Sequence, residues 1–132
     1  MKNDIIEMLA IYIQSNVAPI LAPIKSEIVP DSIIIKANCD SSLLTEKIED
    51  GVYKAPKWYY DIQKKESNIK TLVIDKIDSI PKKEQNKFYE LLKDRKVGTF
   101  TLPDNCSIVL TATNITEDSI NDFLLSMCAI IR

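Results

Sequence analysis

Two hydrophobic periods alternate along this chain. Residues 2–15 place Ile5, Ile6, Leu9, Ala10 and Ile13 at three- and four-residue spacings, with Lys2, Asp4 and Glu7 elsewhere. That period predicts an amphipathic helix, which Asn16 can end. Residues 17–23 are apolar and broken by Pro19 and Pro23. They read as a strand at a sheet margin or as a loop, because proline removes a ladder donor. Residues 32–37 are β-branched and read as a strand. Residues 38–50 are polar and irregular, with a short apolar step at Leu43-Leu44. Pro56 then opens a short helix with Trp58, Tyr59 and Ile62 on one face, ending near Glu66. Ser67-Asn68 turns into the next run.

That run, Thr71-Leu72-Val73-Ile74-Asp75, is short, apolar and β-branched, the pattern of a strand buried on both faces. It ends in the cluster Asp75, Lys76, Asp78. Ser79 reads as an N-cap and Pro81 as a first-turn residue of a helix reaching about Arg95, with Phe88, Leu91 and Leu92 on its apolar side. Residues 96–102 alternate around Gly98 and read as a small hairpin or an extended segment. Residues 107–112 form a second buried strand that ends in Thr113-Asn114. Thr116 reads as the cap of a last helix carrying Ile120, Phe123 and Leu124, and residues 128–131 as a final short strand. Strands alternating with helices predict one α/β domain over residues 1–132, three-layered, with a mostly parallel sheet and helices on both faces. Open sheets of this kind bind ligands outside the carboxyl ends of their strands. Here that edge carries Asp75, Asp78, Thr113 and Asn114.

Composition narrows the chemistry. A net charge of −2 gives no electrostatic case for nucleic acid or a membrane surface. The first 13 residues lack the long apolar run of a signal peptide or span. Histidine is absent, which excludes a Ser-His-Asp or Cys-His site and the common zinc sites. Three cysteines, Cys39, Cys106 and Cys128, form an odd set with no close spacing, so reduced thiols and a cytoplasmic location are expected. No metal site is expected. Trp58-Tyr59-Tyr60 reads as core packing or as a partner-binding cluster.

Several segments, in order, resemble an AAA+ ATPase core of the MoxR-like clade. They are Leu72-Val73-Ile74-Asp75, the following helix with Gln85-Asn86 and Leu91-Leu92, then Arg95-Lys96-Val97-Gly98, Leu102-Pro103-Asp104, and the strand 108–112 ending in Thr113-Asn114. Tyr53-Lys54-Ala55-Pro56-Lys57-Trp58 resembles the stretch that precedes the aspartate-bearing strand in that clade. The resemblance spans residues 30–131. It implies an ATPase fold with defined site positions, and each can be compared with this chain.

The glycine-rich loop G-x-x-x-x-G-K-[ST], whose backbone donors cradle phosphates, has no counterpart here. Ile24-Lys25-Ser26 resembles only its tail, and reads otherwise as a connecting loop. Asp75 matches the magnesium-holding aspartate. Lys76 stands where the resemblance implies the water-activating glutamate, and a protonated lysine accepts no proton. Asp75 and Asp78 alternatively cap the following helix. Asn114, next to Thr113, matches the sensor asparagine, or is a turn residue. Met127 stands where the arginine finger is implied, and a thioether cannot stabilise a transferring phosphoryl group. No helical lid is expected within these 132 residues. The expected role is a catalytically degenerate, non-hydrolysing interaction or scaffold module that needs no cofactor. Its expected partner is an active AAA+ protein or another copy of itself. The alternative is a subunit that binds ATP and magnesium and turns over only with partner-supplied groups.

Overall fold

The computed structural model describes residues 2–15, 18–64 and 68–131. Helix α1 (Lys2–Ser15) leads to β1 (Ile20–Ala22) and β2 (Ser32–Lys36). A hairpin, β3 (Lys47–Glu49) with β4 (Val52–Lys54), precedes α2 (Lys57–Gln63) and β5 (Thr71–Asp75). Helix α3 (Tyr89–Asp94) follows, then β6 (Lys96–Val97) with β7 (Phe100–Thr101), β8 (Ser107–Thr111), α4 (Asp122–Met127) and β9 (Ala129–Ile130).

Five of these strands form one parallel sheet in the order β2-β5-β8-β1-β9. Its pleat separates two cores. The row Ile34–Val73–Val109–Ile20–Ala129 runs straight across the sheet. Val73, Val109 and Ile20 in that row bury against Leu9, with Ile5, Tyr12 and Ile13 of α1 packed alongside. The next row, Ile35–Ile74–Leu110–Leu21–Ile130, faces the other way. There it meets Trp58 and Ile62 of α2, Leu91 and Leu92 of α3, and Leu124 of α4. The domain is therefore a three-layer α/β fold with a parallel sheet and helices on both faces. Leu21, Leu72, Val73, Ile74, Val109 and Leu110 are fully buried, which is why these strands read as continuous apolar runs and not as alternations.

Four local expectations change. Residues 20–22 lie neither at the margin nor in a loop: β1 is flanked by β8 and β9, and all three of its residues are buried. Pro19 and Pro23 bracket the strand, so neither removes a donor from within it. The helix expected from Ser79 to Arg95 is broken into a 3-10 turn at Ile77–Ser79, a second at Glu84–Phe88, and α3. Ser79 caps none of them through its side chain, and its hydroxyl instead donates to the Lys76 carbonyl at 2.6 Å. The cap of α4 is Asn121, whose side chain accepts from the Phe123 N–H at 3.0 Å, while Thr116 closes a local turn with Ser119. The stretch 38–50, expected to be irregular, contributes β3. Its turn, Asp50-Gly51, has φ of 54° and 78°, the paired left-handed geometry that Asp-Gly favours in two-residue hairpins.

Trp58 and Tyr59 are core residues, the indole N–H donating to the Leu43 carbonyl at 2.7 Å. Residues 96–101 form the small hairpin. The expected boundaries at Asn16, Val17, Glu66 and Ser67 lie outside the described residues, as does Arg132. Among the described residues, no helix is long and apolar enough to cross a membrane.

Candidate functional site

Strand order selects one place on the sheet. The chain leaves β1 toward β2, on one side of it, and leaves β8 toward β9, on the other. Neighbouring strands whose connections diverge in this way open a crevice at their carboxyl ends, where α/β sheets bind ligands. A cleft of about 400 Å³ lies there, lined by Lys25, Ser26, Asp75, Lys76, Thr111 and Thr113 among others. Three segments far apart in sequence therefore converge.

Asp75 is the last residue of β5 and is half-buried. Its side chain lies on the α1 face, one pleat beyond Val73. The connection from β1 to β2 crosses that face and delivers Ser26, which is 2% exposed and donates its hydroxyl to Asp75 Oδ1. Thr111, at the end of the adjacent strand, lies with its Oγ1 3.4 Å from Asp75 Oδ1 and 3.4 Å from Ser26 Oγ. The same Thr111 oxygen accepts the Lys76 N–H at 2.9 Å. Ser26, Asp75 and Thr111 are thus one polar knot that closes the carboxyl end of the sheet. Thr111 was not among the site residues legible in the sequence; the signal was a hydroxyl at the end of an otherwise apolar strand, two residues before Thr113.

Lys76 adopts the left-handed conformation, φ 57° and ψ 60°. For a residue with a Cβ this costs about 1–2 kcal/mol. Lys76 is exposed and lines the cleft, while its backbone N–H turns inward to Thr111.

Asp78 does something else. Its Oδ2 accepts the N–H of Thr113 at 3.0 Å and of Asn114 at 2.8 Å. Neither aspartate caps the helix that follows β5: Asp75 is tied to Ser26, Asp78 clasps the loop after β8, and Lys76 holds the cap position with no side-chain bond. Asn114 is fixed further by its carbonyl, which accepts the Ser119 hydroxyl at 2.7 Å. Thr113 lines the cleft.

Lys25 precedes Ser26 and is exposed, on the same wall. Only Pro23, Ile24 and Lys25 separate the end of β1 from Ser26, and the turn that follows, Ser26–Ile28, is three residues of 3-10 helix. Met127 is partly buried against the core beneath the sheet. Among the described residues, no group of three or more Cys, Asp or Glu side chains is arranged to hold a metal ion.

The three cysteines stand away from this cleft. Burial pushes all three thiols above their ordinary value, Cys128 to about 12. At Cys39, burial is opposed by the nearby Lys87 ammonium. A neutral-pH titration with a thiol reagent on the native protein should label Cys39 first, since Cys106 and Cys128 are buried. The last two should react only at the rate of opening. Because a raised thiol pKa stabilises the fold below the unfolded value, that contribution should fade as pH rises from about 9 toward 12. Equal labelling rates for the three thiols would contradict the burial.

No protein-family model matches the sequence, and a comparison with curated proteins found no match. Among solved structures, the chain is similar to NtrX from Brucella abortus, with a TM-score of 0.55 and 14% identity. The match covers 96% of this chain and 32% of that one, so this chain spans about a third of that protein's length. The likeness is one of fold.

Proposed function

We propose that this chain is a catalytically degenerate AAA+-like domain, related in pattern to the MoxR-like clade, that acts as a non-hydrolysing interaction or scaffold module in the cytoplasm. Its partner in this reading is an active AAA+ protein or another copy of the chain. The observation that carries the reading is the three-residue connection between β1 and Ser26. If Lys25-Ser26 is the remnant of K-[ST], the six positions ahead of it are 19–24, and three of those are β1 itself. The chain has no length left there for a loop of converging N–H groups, and only the three-residue 3-10 turn Ser26–Ile28 stands behind it in place of a full helix N-terminus. Lys76 in the glutamate position and Met127 in the finger position add to this.

One observation favours the alternative. In P-loop hydrolases a loop hydroxyl and a strand-end aspartate together hold magnesium, and Ser26 with Asp75 forms such a pair. A subunit that keeps weak Mg·ATP binding and receives its catalytic groups from a partner would use it.

Calorimetric titration with Mg·ATP, together with a phosphate-release assay, separates the two. The expected result is neither binding in the micromolar range nor turnover, for the wild type and for Asp75→Ala alike. Micromolar binding that Asp75→Ala abolishes would overturn the non-hydrolysing reading in favour of the alternative.

A further inference from the structure

The β3–β4 hairpin stands clear of both cores. Every residue from 47 to 54 is exposed, and β3 and β4 pair only with each other. A two-stranded hairpin without a buried face is marginally stable, so its turn can open while the five-stranded sheet stays closed. The turn is Asp50-Gly51, both residues in left-handed geometry. A Cβ placed on Gly51 would meet nothing within 4 Å, so the surroundings leave this peptide unconfined. Among the described residues, the Asp50 carboxylate and the Gly51 N–H make no hydrogen bond or ion pair. An aspartate carboxyl and the peptide nitrogen that follows it are the two reactants of a ring closure, and here both are free.

We propose that Asp50 is a self-modification site, at which the native chain converts aspartate to isoaspartate with water as the only co-reactant. The Gly51 nitrogen attacks Asp50 Cγ. The N–Cγ bond forms, the Cγ–OH bond breaks, and the hydroxyl leaves with the amide proton as water. The cyclic imide then takes up one water. Opening at Cγ restores aspartate, and opening at the main-chain carbonyl leaves the chain running through Cγ, with the former carbonyl as the free carboxylate. Glycine suits the step because it has no Cβ to crowd the attacking nitrogen. The structure protects the aspartates that precede serine, the next smallest follower. Asp40 accepts the Ser42 N–H at 2.9 Å. Asp78 accepts the N–H of Thr113 and of Asn114, and the Ser79 N–H is bound to the Lys76 carbonyl at 2.9 Å. The Ser119 N–H, next to Asp118, is bound to Thr116. Ser32, next to Asp31, opens a strand of the central sheet. The product has one more main-chain carbon in a turn whose geometry fits two ordinary residues. The pairs Glu49–Val52 and Ile48–Tyr53 then lose their register, and the hairpin is released while the sheet and both cores are untouched. This inference does not depend on the nucleotide reading above.

Ageing the full chain, folded and in urea, followed by tryptic mapping, tests it. Cleavage after Lys47 and Lys54 isolates residues 48–54 as one peptide. In the folded chain this peptide should split with time into two species of equal mass, with a transient third lighter by one water. The new species should resist a protease that cleaves only at ordinary aspartate. Conversion should be faster in mildly acidic than in neutral buffer, because the carboxyl must be protonated for its oxygen to leave as water. Peptides carrying Asp40, Asp78 and Asp118 should split in urea and stay single in the folded chain. Asp50→Gly keeps a turn that accepts two left-handed residues and should abolish the conversion. The aged wild type should keep the melting temperature of the fresh protein, since no core residue is involved. A folded chain whose 48–54 peptide stays single while the chain in urea converts overturns the proposal. So does conversion in the folded chain at Asp78 or Asp118 as fast as at Asp50, since exposure and free reactants would then not select the site.

Discussion

Gln85→Leu is expected to lower the unfolding free energy by about 3–5 kcal/mol, in a domain whose total stability should be about 5–15 kcal/mol. The Gln85 side chain is fully buried. Its amide nitrogen donates to the carbonyls of Ile77 and Ile80, each at 3.2 Å, and of Ser119 at 2.8 Å, and its oxygen accepts the Asn121 N–H at 2.8 Å. Leucine has nearly the same volume, so the packing survives. What is lost is the partner of three carbonyls and one N–H, and a buried group left unpaired costs about 1–3 kcal/mol. The total falls below the sum because the two amide hydrogens are shared among three acceptors, and because the ends of the loop can reach water. Chemical denaturation with matched m-values measures the loss, and a drop under about 1 kcal/mol would show that the bonds are replaceable.

The consequence reaches the cleft. Gln85 ties the turn that carries Asp78 to the segment 119–121, and Asn121 adds bonds from its Nδ2 to the Lys82 carbonyl at 3.0 Å and to Asn86 Oδ1 at 2.7 Å. The loop that Asp78 clasps at Thr113 and Asn114 therefore has its far end anchored by Gln85. Positioning of the strand-end residues is a property of this buried network, while the ion pairs Lys47–Glu49 and Lys64–Asp61 lie on the surface.

The fold was legible where burial and pattern agree. Residues 72–74 and 108–110 are apolar without interruption, and they are the middles of the central strands β5 and β8. The N-terminal helix follows from its 3.6-residue period. Asp75 and Thr113 were singled out because polar residues at strand ends mark a carboxyl edge, and Lys76 and Lys25-Ser26 because of the AAA+ resemblance; the structure brings all of them to one cleft. What the pattern left out depends on long-range partners. β1 is only three residues between prolines, and nothing local says that β8 and β9 will flank it. The aspartates read as helix caps because a helix was expected after Asp78. Their acceptor oxygens instead serve Ser26, 49 positions away, and Thr113 and Asn114, 35 and 36 positions away. The β3–β4 hairpin had a usable signal in Asp50-Gly51, hidden by strands so short and exposed that they show no buried face.

Phe88→Ala is expected to cost about 4–5 kcal/mol, at the top of the range for truncating a buried aromatic residue. The reason lies in the break that replaced the expected continuous helix. Glu84–Phe88 is five residues of 3-10 helix and α3 is six residues, each too short to persist on its own hydrogen bonds. In 3-10 geometry positions i and i+3 eclipse, so Gln85 and Phe88 stack on one buried face of the first segment. Phe88, fully buried, is also the junction with α3, where Leu91 and Leu92 continue the apolar side. Removing its ring leaves a cavity and withdraws the contact that holds the 3-10 segment down. The neighbouring Tyr89 is the control: it is 41% exposed and meets Phe123 edge-on at 5.2 Å, so Tyr89→Ala should cost only about 1 kcal/mol. In Phe88→Ala, but not in Tyr89→Ala, the amides of residues 84–88 should exchange by local opening well below the global unfolding energy. Equal losses for the two variants would mean that the segment between β5 and β8 is held by helix propensity and not by this buried face.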